Sequence, residues 1–440
     1  MLATMTGQDK NAAAAAPPEK ALGPWRLFAW CLFDWANSSF PTVIVTFVFA
    51  AYYTQAIAPT PEIGTSQWGT AISLSALAVA VLGPVVGAIA DRTGRRKPWL
   101  LVLTLVCAVS GALLWLAVPG PAFLLAALVL VAIANAAFEL GQVFYNAMLP
   151  DIAPSHMLGR MSGWAWACGY FGGIAALAVC LYGFALPETP LLGLDKDSQE
   201  HIRITGPFVA LWYLVFCVPL FLWVPDGTPR RISSVRAIRD GLRQLVGTFR
   251  QLRRYANIAR FLLARMLYID GLNTLFAFGG IYAAGTFGMG FEEILIFGIL
   301  LNVTAGLGAA CFAWIDDWIG SKATVMIAVA ALTVLGAWIL VIESKTWFYI
   351  LGAAIGVFIG PTQSASRTLM ARLAPAALRT EMFGLFAFSG KATAFVGPVL
   401  VGWVTLWADS QRIGMATILV FFVVGLLLLL PVREKPEASG

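Results

Sequence analysis

The chain has 440 residues, 59% hydrophobic and 12% charged, with mean hydropathy +0.80 and a net charge of +6. A water-soluble domain carries about 25% charged and roughly 45–50% apolar residues. Folding in water is therefore excluded, and the composition fits an all-α integral membrane protein.

Residues 1–24, including "NAAAAAPPEK", lack the basic start, apolar core and cleavage site of a signal peptide and are expected to form a disordered cytoplasmic tail. A bilayer-crossing helix needs about 20 mostly apolar residues. That window predicts twelve spans, near 26–53, 67–90, 98–118, 122–147, 160–185, 207–224, 258–284, 292–314, 323–342, 346–370, 382–406 and 413–431. They divide into an N-terminal six-helix half (25–224), a basic cytoplasmic linker (225–257), a C-terminal six-helix half (258–431) and a cytoplasmic tail (432–440). Of the 29 Lys and Arg, 21 lie on the side of both termini. The opposite side has only Lys196, Arg203, Lys345 and Arg412. The positive-inside rule makes the termini cytoplasmic, and the net charge reflects this bias rather than nucleic-acid binding. The linker reads equally as an amphipathic helix on anionic lipid or as a flexible tether.

The first span contains "FDWANSSFP". Asp34, Asn37 and Pro41 share a face. Pro41 cannot donate to the carbonyl of Asn37, and broken backbone in a membrane needs protein or a wet cavity beside it, so a hydrated notch is expected. The second span ends in "GAIADRTGRRK", where Asp91 closes a helix C-terminus that disfavours negative charge. Arg92, Arg95 or the N-terminus of a neighbouring helix must compensate it. On the fourth span, Asn135, Glu139, Gln142 and Asn146 form one polar stripe, which must face a cavity or another helix. Gly169 and Gly173 on the fifth span make a GxxxG pair and predict close helix packing.

The pattern then repeats. "DWANSSF" (34–40) matches "DGLNTLF" (270–276), and "QVFYNAMLPDIAP" (142–154) matches "QSASRTLMARLAP" (363–375). Asp34 thus pairs with Asp270, Gln142 with Gln363 and Asn146 with Arg367. "AWIDDWIGSK" matches the end of the second span less closely, pairing Asp91 with Asp317; Trp318 stands where Arg is expected, which predicts a weaker second latch. Two strong blocks in corresponding places imply duplicated halves.

The run G-x-x-x-D-R-x-G-R-R at 87–96 resembles the loop 2–3 signature of the major facilitator superfamily. "DWANSSF", "FYNAMLPDIAP" and "GPTQSASRTLMARLAP" resemble its "unknown major facilitator" branch, which includes the fungal autophagy-related vacuolar effluxers linked to amino-acid export. The resemblance implies the major facilitator fold, with a cytoplasmic latch at Asp91, Arg92, Gly94, Arg95 and Asp317. It also implies amino acids or short peptides as substrate.

An ionisable group at the bilayer centre costs about 2.5–3.5 kcal/mol and needs a reason. The candidates are Asp34, Glu139, Arg265, Asp270, Arg367 and Lys391. Asp34, Glu139 and Asp270 are the proton-coupling candidates. Asn37, Gln142, Asn146, Gln363, Arg367 and Lys391 are the substrate-binding candidates, with Arg367 gripping a carboxylate or paired with Glu139. Arg265 is five residues before Asp270 and on a different face. Trp164 and Trp166, near the start of the fifth span, fit interfacial anchors. The six cysteines fall in apolar runs as packing residues, and neither a metal site nor a cofactor is expected.

These features favour a secondary transporter, acting as a monomer in the cell (inner) membrane. It would move a small polar solute by alternating access coupled to protons or another ion. A cation-coupled sugar symporter of the same fold is the alternative, favoured by "DRTGRRKPWL". A membrane enzyme or lipid scramblase is more remote, because no nucleophile–base pair or phosphate loop occurs in the spans.

Overall fold

The computed structural model describes residues 22–230, 234–250 and 254–434. Most of the two tails, assigned from the sequence as 1–24 and 432–440, lies outside the described residues. Among the described residues, twelve helices are long and apolar enough to cross a membrane. They are α1 (Pro24–Ile57), α2 (Pro61–Thr93), α3 (Lys97–Leu116), α4 (Pro121–Ile152), α5 (Ser155–Ala185) and α6 (Glu200–Trp223) in the first half. The second half holds α7 (Ala256–Phe287), α8 (Glu292–Ile319), α9 (Ser321–Ile339), α10 (Lys345–Leu373), α11 (Ala376–Ala408) and α12 (Gln411–Leu429). A thirteenth, the linker helix Ser234–Arg250, joins the halves. The face holding the start of α1, the end of α12 and the linker is called the terminal face below.

Proline shapes two of the spans. In α1 the regular helix stops at Asn37, and a wider π-helical turn runs over Phe40–Phe47 with Pro41 near its start. The neighbouring carbonyls are met by side chains. Ser39 Oγ donates to Ala36 O at 2.8 Å, and Trp212 Nε1 to Trp35 O at 3.4 Å. Asp34, Asn37 and Phe40 are all buried, so this stretch is a packed junction rather than the hydrated notch expected from its sequence. In α11 the helix stops at Lys391 and restarts at Val396. Pro398 has no N–H for the carbonyl of Ala394, whereas the hydropathy window predicts one continuous span over 382–406.

The halves meet through close backbone approaches. A Cβ on Gly384 (α11) would come within 2.4 Å of the Gly83 carbonyl oxygen (α2). One on Gly163 (α5) would come within 2.6 Å of the Ala309 carbonyl oxygen (α8). Within the first half, Gly172 and Gly173 likewise bring α5 onto Trp35, Ser38 and Thr42 of α1. These positions tolerate no side chain without parting the helices.

Candidate functional site

The terminal face is closed by acids set on helix N-termini. Asp91 at the end of α2 accepts from the backbone N–H groups of Thr380 (3.0 Å) and Glu381 (2.9 Å), in the first turn of α11. Of the compensators considered, the neighbouring helix N-terminus carries most of the task. Asp317 at the end of α8 accepts from Gly159 N (2.7 Å), Arg160 N (3.1 Å) and Arg160 Nε (2.8 Å), at the start of α5. It also lies 3.6 Å from Arg372. The second latch is thus no weaker in its contacts than the first, because backbone N–H groups and Arg160 replace the arginine absent at Trp318.

The arginines of the first latch differ from expectation. Arg95 pairs with Asp226 at 3.2 Å, inside its own half. Arg92 Nε has no hydrogen-bond partner among the described residues. Arg96 is the residue that crosses: Nε donates to Thr380 Oγ1 at 2.9 Å, and the same guanidinium binds Asp151. Arg379 from α11 binds the other oxygen of Asp151. Gly94, with φ +76°, turns the chain where a Cβ would lie 2.4 Å from the Thr228 carbonyl oxygen, so it serves as a turn rather than a ligand.

Two further acids, missed from the sequence, cap helices within each half. Asp226, just after α6, accepts from Arg96 N (2.9 Å) and Lys97 N (3.3 Å) at the start of α3. Glu434, just after α12, accepts from Ser321 N (2.8 Å) and Lys322 N (3.1 Å) at the start of α9. The positions correspond between halves, but "VPDG" and "LPVRE" share no motif beyond proline.

Deeper in, Arg367 on α10 is 2% exposed. Its Nη1 contacts Asp34 Oδ2 (3.1 Å) and Asn146 Oδ1 (3.2 Å). Nε and Nη2 donate to the hydroxyl (2.8 Å) and carbonyl (2.7 Å) of Ser162. Trp30, Tyr145 and Trp166 surround the guanidinium at 5.2–5.7 Å; Trp166 is therefore part of this cluster and not a belt anchor. Asn37 donates weakly to Asp34 at 3.4 Å. The expected rival partner of Arg367 was Glu139; the structure pairs it with Asp34 instead. With its donors engaged and its surface covered, Arg367 is a tie between the halves in this conformation, together with Asn37 and Asn146.

Glu139 takes Lys391. Nζ lies 2.7 Å from Glu139 Oε1, and the side chains keep 28% (Lys391) and 21% (Glu139) of their surface exposed. Each sits about 20 Å along its helix from the terminal face, near the middle of an approximately 30 Å hydrocarbon core. Lys391 is also the last helical residue before the break in α11. Gln363, half-buried nearby in sequence to the Arg367 cluster, accepts from Tyr170 OH at 2.5 Å across the seam, and Gln142 is half-buried on the α4 stripe. Asn135 at the other end of that stripe donates to Ser75 on α2 at 2.7 Å.

Asp270 is treated differently from its repeat mate. It is 2% exposed, and neither carboxylate oxygen has a hydrogen-bond partner among the described residues. It packs against Gly397, in the first turn of the second segment of α11. Arg265 is elsewhere, donating to Phe386 O (2.6 Å) and Ser389 Oγ (2.8 Å) with its guanidinium 3.5 Å from the Phe386 ring centroid. Among the described residues no group of three His, Cys, Asp or Glu could hold a metal ion.

Residues 64–437 match the family described as "Vacuole effluxer Atg22 like". The chain is 26% identical over 418 residues to the "Uncharacterized MFS-type transporter YxiO" of Bacillus subtilis (strain 168), covering 93% of this chain and 95% of that one. It is 26% identical over 286 residues to "Autophagy-related protein 22" of Cryptococcus neoformans var. neoformans serotype D, covering 60% of this chain and 48% of the fungal protein. Among solved structures, the human organic anion transporter MFSD10 superposes with TM-score 0.72 at 15% identity, covering 93% of this chain and all of that one. The proton:xylose symporter XylE superposes with TM-score 0.71 at 13% identity, covering 94% and 97%; at these identities the likeness is one of fold. The chain belongs to the Atg22-like vacuole effluxer family, and it is a multi-pass membrane transporter of the major facilitator superfamily, not an enzyme.

Proposed function

We propose that the protein is a proton-coupled secondary transporter of amino acids or short peptides, working by alternating access. The observation that carries this reading is the partly exposed Lys391–Glu139 pair at mid-membrane, beside the break in α11. A zwitterion has a carboxylate for Lys391 and an ammonium for Glu139, so it can replace each partner of the pair with an equal charge. Interrupted helices are where transporters of this kind place their ligands. Gln142 lies on α4 with Glu139, and Gln363 on α10 with Arg367; both supply neutral hydrogen-bonding groups. The buried ties at Arg367 lie between the pair and the terminal face.

Asp270 is the proton site in this reading: a carboxylate at mid-membrane without a base needs a function. The terminal face is cytoplasmic, in keeping with its excess of Lys and Arg, and the protein works as a monomer in the cell membrane.

The test is uptake by purified protein in liposomes, with labelled amino acids, dipeptides and sugars offered with and without a pH gradient. Accumulation of amino acids or dipeptides that depends on the gradient, and is lost in Lys391→Ala, is expected. Accumulation of sugars that survives Lys391→Ala favours the sugar-symporter alternative and rejects this one.

A further inference from the structure

The linker helix Ser234–Arg250 has three distinct sides. One packs on the protein: Ala237, Gly241 and Thr248 are buried. Gly241 presses on α2, where a Cβ would come within 3.0 Å of the Ile89 backbone. On the same side Gln244 Nε2 donates to Glu381 Oε2 at 2.6 Å, in the first turn of α11. Because α2 and α11 belong to opposite halves, the helix straps the seam between them.

Roughly a third of a turn away, Ile238, Leu242 and Val246 form an exposed apolar row. Beyond it come Arg236, Arg239, Arg243 and Arg250, all exposed. The helix thus presents an aliphatic row flanked by cations, next to a span whose flank is itself apolar and exposed at Val81 and Leu82. An interfacial helix has this order, with its apolar row at the acyl boundary and its arginines among headgroups.

We propose that the linker helix docks on anionic phospholipid of the leaflet at the terminal face, and that this contact helps hold the strap across the α2–α11 seam. The surface is independent of the transported solute and of the coupling ion.

The test uses the full chain with its six native cysteines replaced and one cysteine introduced at Leu242, carrying an environment-sensitive fluorophore. The protein is placed in nanodiscs of phosphatidylcholine alone or mixed with phosphatidylglycerol. Quenching by bromines on the lipid chains is expected, and it should be stronger with phosphatidylglycerol. Arg239→Glu and Arg243→Glu should each reduce the lipid-docked population on the order of fivefold in the anionic discs, with the melting temperature reporting that the fold is intact. Equal quenching in the two lipids overturns the anionic assignment. Quenching from the aqueous phase alone overturns the surface, and its suppression by a soluble cell fraction would mark a protein partner instead. For the strap, a cysteine placed at buried Ala88 of α2, beneath the linker helix, in a chain lacking the native cysteines should be alkylated faster when Ile238→Asp and Leu242→Asp remove the apolar row; an unchanged rate overturns the coupling to the seam.

Discussion

Arg367 Nη1 lies 3.1 Å from Asp34 Oδ2, a buried ion pair between residues 333 positions apart and on opposite halves. Removing one member of such a pair leaves an uncompensated buried charge, at a cost of about 3–5 kcal/mol. Arg367→Gln should therefore lower the melting temperature of the purified protein sharply. Asp34→Asn added to it should recover most of the loss, whereas Glu139→Gln should not. Equal recovery by Glu139→Gln would show that the pairing is wrong.

The Lys391–Glu139 pair predicts a different pattern. Both side chains are partly exposed, so Lys391→Ala should cost less stability than Arg367→Gln, whose partner is left fully buried. Its effect should appear in transport, as a loss of about 10–100-fold corresponding to one charge-assisted hydrogen bond of about 1.5–3 kcal/mol. Lys391→Arg should retain part of the activity. Liposome uptake measured beside thermal stability separates the two quantities.

For Asp270, replacement by Asn preserves shape and removes the ionisable group. Uphill accumulation should disappear while exchange of solute across the membrane persists. If Asp270→Asn still accumulates solute against its gradient, the coupling proton is carried elsewhere.

The two latches should be comparable in strength. Asp91→Asn and Asp317→Asn each weaken a pair of charge-assisted backbone bonds, with about 1.5–3 kcal/mol at stake per bond. Each should speed alkylation of Cys168, half-buried on α5 whose start Asp317 caps, by tenfold or more in chains lacking the other cysteines. A response to Asp91→Asn alone would restore the weaker second latch expected from Trp318.

Topology is checked separately. A cysteine replacing exposed Arg239 should not react with an impermeant thiol reagent added outside intact cells. Labelling would place the terminal face outside.

The twelve spans were legible because the bilayer imposes a length and an apolar composition that no soluble helix sustains. The duplication was legible through Asp34 and Asp270. Their different surroundings were not, although their cause is present in the repeat: Arg367 corresponds to neutral Asn146, so only one of the equivalent acids finds a base. Pairing across hundreds of residues depends on which helix faces which, and a helical stripe such as Asn135–Asn146 reports only that it faces inward. Its members in fact go to α2, α11 and α10. Arg96, one residue beyond the expected latch, is not distinguished by the motif, because motif position does not reveal which arginine reaches the far half.

The four acidic caps have a mechanical consequence. Asp91 and Asp317 bind helices of the opposite half, whereas Asp226 and Glu434 bind helices of their own. A motion that parts the terminal face strips only the first two from their N–H groups. The other two stay seated, fastening α6 to α3 and α12 to α9 throughout. The stiffness of each half and the grip between halves are set by different carboxylates, so one can be loosened without softening the other.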